Sequence, residues 1–381
     1  MNEVLAREKG FVPLNMQEGL TPALVSDDII TPIRGGDQTA IFKLATLAHA
    51  SREVAVRQYA NIMSKVLQRE FDAYNGVDIN KISNILRTEE VSSLDSLLEI
   101  VNSGDSVHIK VMDSFTVFEQ IKVEDGQTVI IELNDDVVLS GEGNVGGNGR
   151  LFQIDNGVLT LSGGKVVAPA SSYGAFRVEK GGVLNLYNTV LENSKKNGLN
   201  VKVIGGRAVL DNVEVNSTIG GAIEVTSVDI DDKYSTNPDD IGYAEIINCR
   251  FNQQTYGDWC STCLSVSGGA KLVVRSGEFI SENWALYVFS SGGEIEIYDG
   301  VFEGKRNGSE AIRAEIDTNT YQGFIGGFKI HGGTFKGTAT IITPAYMVVD
   351  GGTFDNSVAD YLKDGYKEVQ TDSGLYMVVK E

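Results

Sequence analysis

Val349-Asp350-Gly351-Gly352-Thr353-Phe354 repeats, almost residue for residue, the pattern of Ile330-His331-Gly332-Gly333-Thr334-Phe335. In both, an aliphatic residue is followed five positions later by Phe, with small turn-formers between. The unit recurs upstream as Ile297–Phe302, Val274–Phe279, Ile246–Phe251, Leu210–Val215, Leu186–Leu191 and Leu161–Val166. Its last residues lie 19, 33, 23, 28, 36, 24 and 25 positions apart, counted from the C-terminal end. A period in the low twenties with occasional excess marks a solenoid that carries loop insertions.

From Val107 onward, period-two alternation divides each repeat into three short strands. The first has inward pairs such as Phe176/Val178, Val201/Val203, Ile223/Val225, Leu264/Val266, Leu286/Val288 and Ile312/Ala314. The second carries Leu159/Leu161, Leu184/Leu186, Ala208/Leu210, Ala244/Ile246, Leu272/Val274, Ile295/Ile297, Phe328/Ile330 and Met347/Val349. The third ends in the terminal Phe or Val. Asn188, Asn212, Asn248, Asp299, Gly332 and Gly351 sit between the second and third strands. These residue types tolerate a left-handed backbone at a sharp bend. Stacking like on like gives an aliphatic column and a Phe column (Phe251, Phe279, Phe302, Phe335, Phe354). The expected fold is mainly β, a parallel solenoid of about ten coils and about 45–50 Å, preceded by an α-helical N-terminal region.

That region divides further. Residues 1–36 read as an irregular arm, broken by Pro13, Pro22, Pro32 and Gly35-Gly36. It serves either as a docking arm for another protein or as a tail packed on its own domain. Asp37 caps an expected helix to about Asn75 that carries Ile41, Leu44, Ala48, Ala55, Tyr59, Ile62 and Val66 at helical spacing. Unbroken, it would be about 57 Å long and would suit a bundle or an oligomeric stalk. Asp78 to Glu90 reads as a short helix, and Ser93 to Asn102 as another, stopped by Gly104. The domains are thus an arm (1–36), a helical anchor and cap (37–104), a β-solenoid (105–364) and a closing segment (365–381).

The unit Ser96-Leu97-Leu98-Glu99-Ile100-Val101-Asn102-Ser103-Gly104-Asp105-Ser106-Val107-His108-Ile109 passes from helix through a Gly-Asp turn into alternation. It resembles the entry cap of right-handed parallel β-helices of the pectin-lyase-like class, over roughly residues 91–381. Val129-Ile130-Ile131-Glu132-Leu133-Asn134 and Asp360-Tyr361-Leu362-Lys363-Asp364-Gly365-Tyr366 look like the repeats and closing segment of bacterial surface proteins and phage fibres. The resemblance implies right-handed coils. It implies no catalytic set, because the paired aspartates with Gly-His-Gly of the hydrolases have no counterpart here.

Composition narrows the partners. The chain has 381 residues, with 32 Lys+Arg against 52 Asp+Glu and a net charge of -20. That field repels phosphate, so neither nucleic acid nor an anionic membrane is expected as a partner. Gly is abundant at 43 residues and Pro scarce at 6, which suits many tight turns. The first ten residues hold no apolar h-region, and no window approaches a membrane span. Synthesis in a host cytoplasm without a signal peptide is the expectation. Cys260-x-x-Cys263 lacks a second pair at zinc spacing, so neither metal nor cofactor is expected.

Candidate binding residues come from loops. Two coils have long insertions at the same turn, Ser227–Ile241 and Asp317–Gly327. The two coils between them turn tightly at Ser267-Gly268-Gly269 and Ser290-Ser291-Gly292-Gly293. The expected groove has Asp229, Asp231, Asp232 and Tyr234 on one wall and Asp317, Asn319 and Tyr321 on the other. Asp239 and Asp240 also lie in the first wall, and Tyr256 and Trp259 in the loop Gln253 to Thr262 add aromatic platforms. Carboxylates beside aromatic rings suit a glycan. No catalytic residues are assigned: His49, His108 and His331 are not placed like bases, and carboxylate pairs are too numerous to be specific.

The expected function is a phage virion structural protein, a head fibre or capsid decoration. Residues 1–75 would bind capsid or other virion proteins, and the β-helix would face cell-surface or mucus glycans. A homo-oligomer is expected, a trimer before other states. A tailspike-like receptor-binding protein or depolymerase and a bacterial surface adhesin are the alternatives.

Overall fold

The computed structural model describes residues 86–381 apart from 125, 144, 146–148, 170, 172, 195–197, 231–232, 235–236, 238–239, 256–261, 290, 306–309, 318–324 and 343, with backbone alone at 229, 230, 233 and 234. Thr88–Glu381 forms one compact unit and Met1–Arg87 another. The arm, the long helix and the start of the Asp78–Glu90 segment lie outside the described residues.

The chain from Val107 winds into a parallel β-helix. Its strands fall into three sheets: A with 11 strands, C with 9 and B with 12. Each turn of the solenoid contributes one strand to each sheet, in the order A, B, C. In sheet A the pairs Leu184/Leu186, Ala208/Leu210 and Ala244/Ile246 stand in exact register, one coil above the next. Sheet C likewise stacks Phe176 on Val201 and Ile223, then Leu264, Leu286 and Ile312. The cause is local. Parallel strands pair at constant offset, so each inward side chain meets its own kind above and below. Outward residues alternate with these, which gives the polar surface.

The Phe column runs through sheet B. Phe279, Phe302, Phe335 and Phe354 stack at 5.0, 4.9 and 4.7 Å, and Phe251 meets Phe279 edge-on at 5.3 Å. Such pairs contribute about 0.5–1.5 kcal/mol each beyond their burial. The strands do not stop at the aromatic residue as expected; Cys249–Gln253 carries Phe251 at its centre. Ladder bonds continue past the ring because neighbouring coils offer them partners.

The bend between sheets A and B is built in two ways. Asn188, Asn212 and Asn248 are left-handed, with φ of 51°, 56° and 51°. Their amides also form a ladder, Asn212 Nδ2 donating to Asn188 Oδ1 at 2.7 Å. In later coils the expectation for Asp299, Gly332 and Gly351 is corrected. There the following glycine has the positive φ, at Gly300 (137°), Gly333 (105°) and Gly352 (106°). With a glycine available one position on, the bend no longer needs an Asn-type residue.

Both ends of the unit are covered. The helix Leu94–Val101 has Ser93 as N-cap and buries Leu94, Leu97, Leu98 and Val101 on the first coil. Gln127 Nε2 ties it down by donating to the carbonyls of Val101 (2.7 Å) and Asp105 (3.2 Å). The helix expected up to Glu90 is corrected: Arg87–Val91 is a strand beside Val107–Val111 at the edge of sheet A. The open edge of the first coil offers ladder bonds that outweigh helix propensity. At the other end, the hairpin of Tyr366–Gln370 and Tyr376–Lys380 pairs antiparallel with Thr353–Phe354 and extends sheet B.

Candidate functional site

The two insertions leave the solenoid at one corner, between sheet C and sheet A. The first joins Gly221–Thr226 to Tyr243–Ile247, and the second joins Glu310–Glu315 to Gly326–Ile330. Within the first, Asp229–Ile230 pairs with Lys233–Tyr234 as a small antiparallel ribbon, Asp229 opposite Tyr234. Asp317 is half-buried at the start of the second. Asp231, Asp232, Asn319, Tyr321, Tyr256 and Trp259 lie outside the described residues.

The intervening turns are tight: Ser291 Oγ accepts from Gly268 N at 2.8 Å, Ser267 and Ser291 are buried, and Gly269 is exposed. Two parts of the groove expectation are corrected. The loop from Gln253 to Thr262 joins sheet B to sheet C, so it leaves from the opposite end of the sheet C strands. A five-residue strand separates its ends from the other insertions by about 17 Å. Asp240, read as a wall residue, is buried and paired with Lys180, closing the base of the first insertion.

Sheet C between these corners has an aromatic group. The Trp284 and Tyr287 rings lie 4.6 Å apart, and Tyr287 and Phe289 4.2 Å. The Arg313 guanidinium covers Trp284 at 5.2 Å and is itself held by Glu310 and Glu315 at 3.0 and 2.9 Å. Three outward residues in the middle of this row are buried, Ser265 at 1% exposure, Tyr287 at 7% and Glu224 at 8%, while Lys202 and Arg313 on either side are half-buried.

The densest polar assembly stands instead on the outer face of sheet A, around Glu294 and Glu296. Glu296 receives Lys271 Nζ at 2.6 Å and the Tyr298 hydroxyl at 2.7 Å. Glu294 receives Lys329 Nζ at 2.6 Å and the Tyr346 hydroxyl at 2.7 Å. His331 lies between Asp350, at 2.7 Å from Nδ1, and Glu296, at 3.5 Å from Nε2. Its ring is 4.9 Å from that of Tyr298, over which Arg275 sits at 4.4 Å. Arg275 in turn binds the buried Glu245 at 2.6 Å. One charged row therefore crosses several coils.

The titration of this face limits its chemistry. Burial opposes charge on Glu296, but hydrogen bonds from Lys271 and Tyr298 and the charge of Lys271 outweigh it and lower the carboxyl to about 2. Glu294 is lowered in the same way, burial being overcome by Lys329 and Tyr346. Burial, then the charge of Glu245, pushes the Tyr243 phenol up to about 12. Tyr346 rises through burial and its bond to Glu294. At neutral pH the face is a set of fixed carboxylates and protonated phenols. Glycoside hydrolysis needs one carboxyl kept protonated as proton donor; this pair holds none. The carboxylates, phenols and lysines of this face are bonded to one another.

No family model, characterised protein or solved structure matches the chain. Its chemistry rests on its own residues. Among the described residues, no group of three or more His, Cys, Asp or Glu could hold a metal ion. Cys249 and Cys263 are buried thiols, raised to about 12 by burial; Cys260 lies outside the described residues. The groove loops were legible from sequence because insertions break the period. The sheet A face was not, because its partners come from different coils.

Proposed function

We propose that the chain is a non-enzymatic virion appendage of a bacteriophage, a head fibre or capsid decoration. Residues 1–75 attach it to capsid or other virion proteins, and the β-helix is displayed outward. The observation that carries the reading is the continuous core of about ten coils with a capping element at each end, on a chain of net charge -20. Such a body is stiff and offers proteases few unpaired segments, as an exposed appendage requires. The displayed β-helix faces cell-surface or mucus glycans.

Electron microscopy of particles carrying the full chain or a chain lacking residues 1–75 tests the attachment. Rods on the former and bare particles with the latter are expected; rods on both, or on neither, would overturn it. The depolymerase reading is tested by incubation with host polysaccharide, where the appearance of shorter oligosaccharides would restore it.

A further inference from the structure

Sheet C stops a coil before its neighbours. Among the described residues, its last strand, Thr338–Ile342, pairs only with Glu310–Glu315, whereas sheet A continues through Tyr346–Val349 and sheet B through Thr353–Phe354 and the closing hairpin. The chain passes this edge once more, at 355–361, without adding a strand. It is pinned elsewhere: Ser357 and Val358 bind Glu368 at 2.6 and 2.9 Å. Its nearest bond to the edge strand is Gly337 N donating to Asp355 at 3.0 Å, at one end.

Two core columns are consequently only partly covered at this end. Ala339 and Ile341 continue the columns of Leu286/Ile312 and Val288/Ala314, which are at most 1% exposed, but are themselves only half-buried. Ile342 is 40% exposed. The strand carries no charge. Some other edges do: Lys367 and Glu368 stand on the outermost strand of sheet B and Lys122 on the first strand of sheet C, while Tyr346–Val349 at the end of sheet A is uncharged but bridged by Leu362. Charge on an edge strand is the usual protection against unwanted pairing, and here it is missing.

We propose that the edge Thr338–Ile342 takes an extended segment of another protein, apolar at alternate positions and basic at its flanks. Strand addition would satisfy the edge amides and carbonyls, and alternate side chains would cover Ala339 and Ile341. Basic flanks follow from the surroundings: Glu310 and Glu315 stand on the paired strand opposite Thr338 and Ile342, and Asp355 accepts from Gly337 N at the first end. A second rod fits poorly. Sheet B reaches three strands further than sheet C, so two rod ends could not bring these edges together.

The test uses the full chain and three fluorescent peptides: Lys-Thr-Val-Thr-Val-Thr-Val-Lys, a version with Pro at the central Thr, and one with Glu at both ends. Binding of the first is expected, with the other two weaker by about tenfold or more, since Pro removes a ladder donor and Glu reverses the charge. Amide exchange at 338–342 should slow on binding. Equal binding of the Pro peptide, protection elsewhere, or no binding would overturn the proposal. So would a dimer in sedimentation that is lost in Thr338→Lys/Ile342→Lys, because self-pairing would then occupy the edge.

Discussion

Glu296 is held by Lys271, Tyr298 and His331, and its carboxyl lies at about 2 against an ordinary 4.5. A lowered carboxyl stabilises the fold fully above its unfolded value, and that stability disappears as pH falls toward the folded one. Thermal melts should therefore lose stability between about pH 4.5 and pH 2, and Glu296→Gln should flatten that slope by about 1 kcal/mol, the size of a partly screened pair. An unchanged slope would remove Glu296 from the account. The buried thiols make an opposite claim about reactivity. With both raised to about 12, Cys249 and Cys263 should resist alkylation in the native protein at pH 8; peptide mass mapping after brief iodoacetamide treatment checks this. At the bend, Asn212 has φ of 56°. Asn212→Ala should cost about 1–2 kcal/mol from the left-handed backbone, and Asn212→Gly less, as read in denaturant melts.

Among the elements, the Phe column in sheet B stacks buried rings on one another from coil to coil. Phe302 is fully buried between Phe279 and Phe335. Phe302→Ala should cost about 3–5 kcal/mol, while Phe302→Leu should cost less because volume is largely retained. Equal losses would mean that ring stacking, not filling of space, dominates there. The sheets themselves were readable in advance. Leu184, Ala208 and Ala244 are placed by period two within a strand, visible in any one copy, and by the repeat between strands, visible in successive copies. Arg87–Val91 was not readable, since its strand state depends on an edge that exists only once Val107–Val111 has folded.

For the unit as a whole, the closing hairpin covers the last Phe, and Phe354 pairs directly with Tyr376. A chain ending at residue 364 should expose that ring, bind a hydrophobic dye and aggregate; a soluble truncated chain with an unchanged melt would show that the hairpin is dispensable. What the sequence by itself determined was the coil: which residues point inward, where the bends fall and which turns hold insertions. Each of those is a short-range property, repeated until it is unmistakable. Only the tertiary structure decided the sheet A face, where Tyr346 meets Glu294 across 52 residues. It also decided the early end of sheet C and the corner from which the loop Gln253 to Thr262 leaves. Parallel stacking brings together residues whole coils apart, and insertions of unequal length hide that distance from any local pattern.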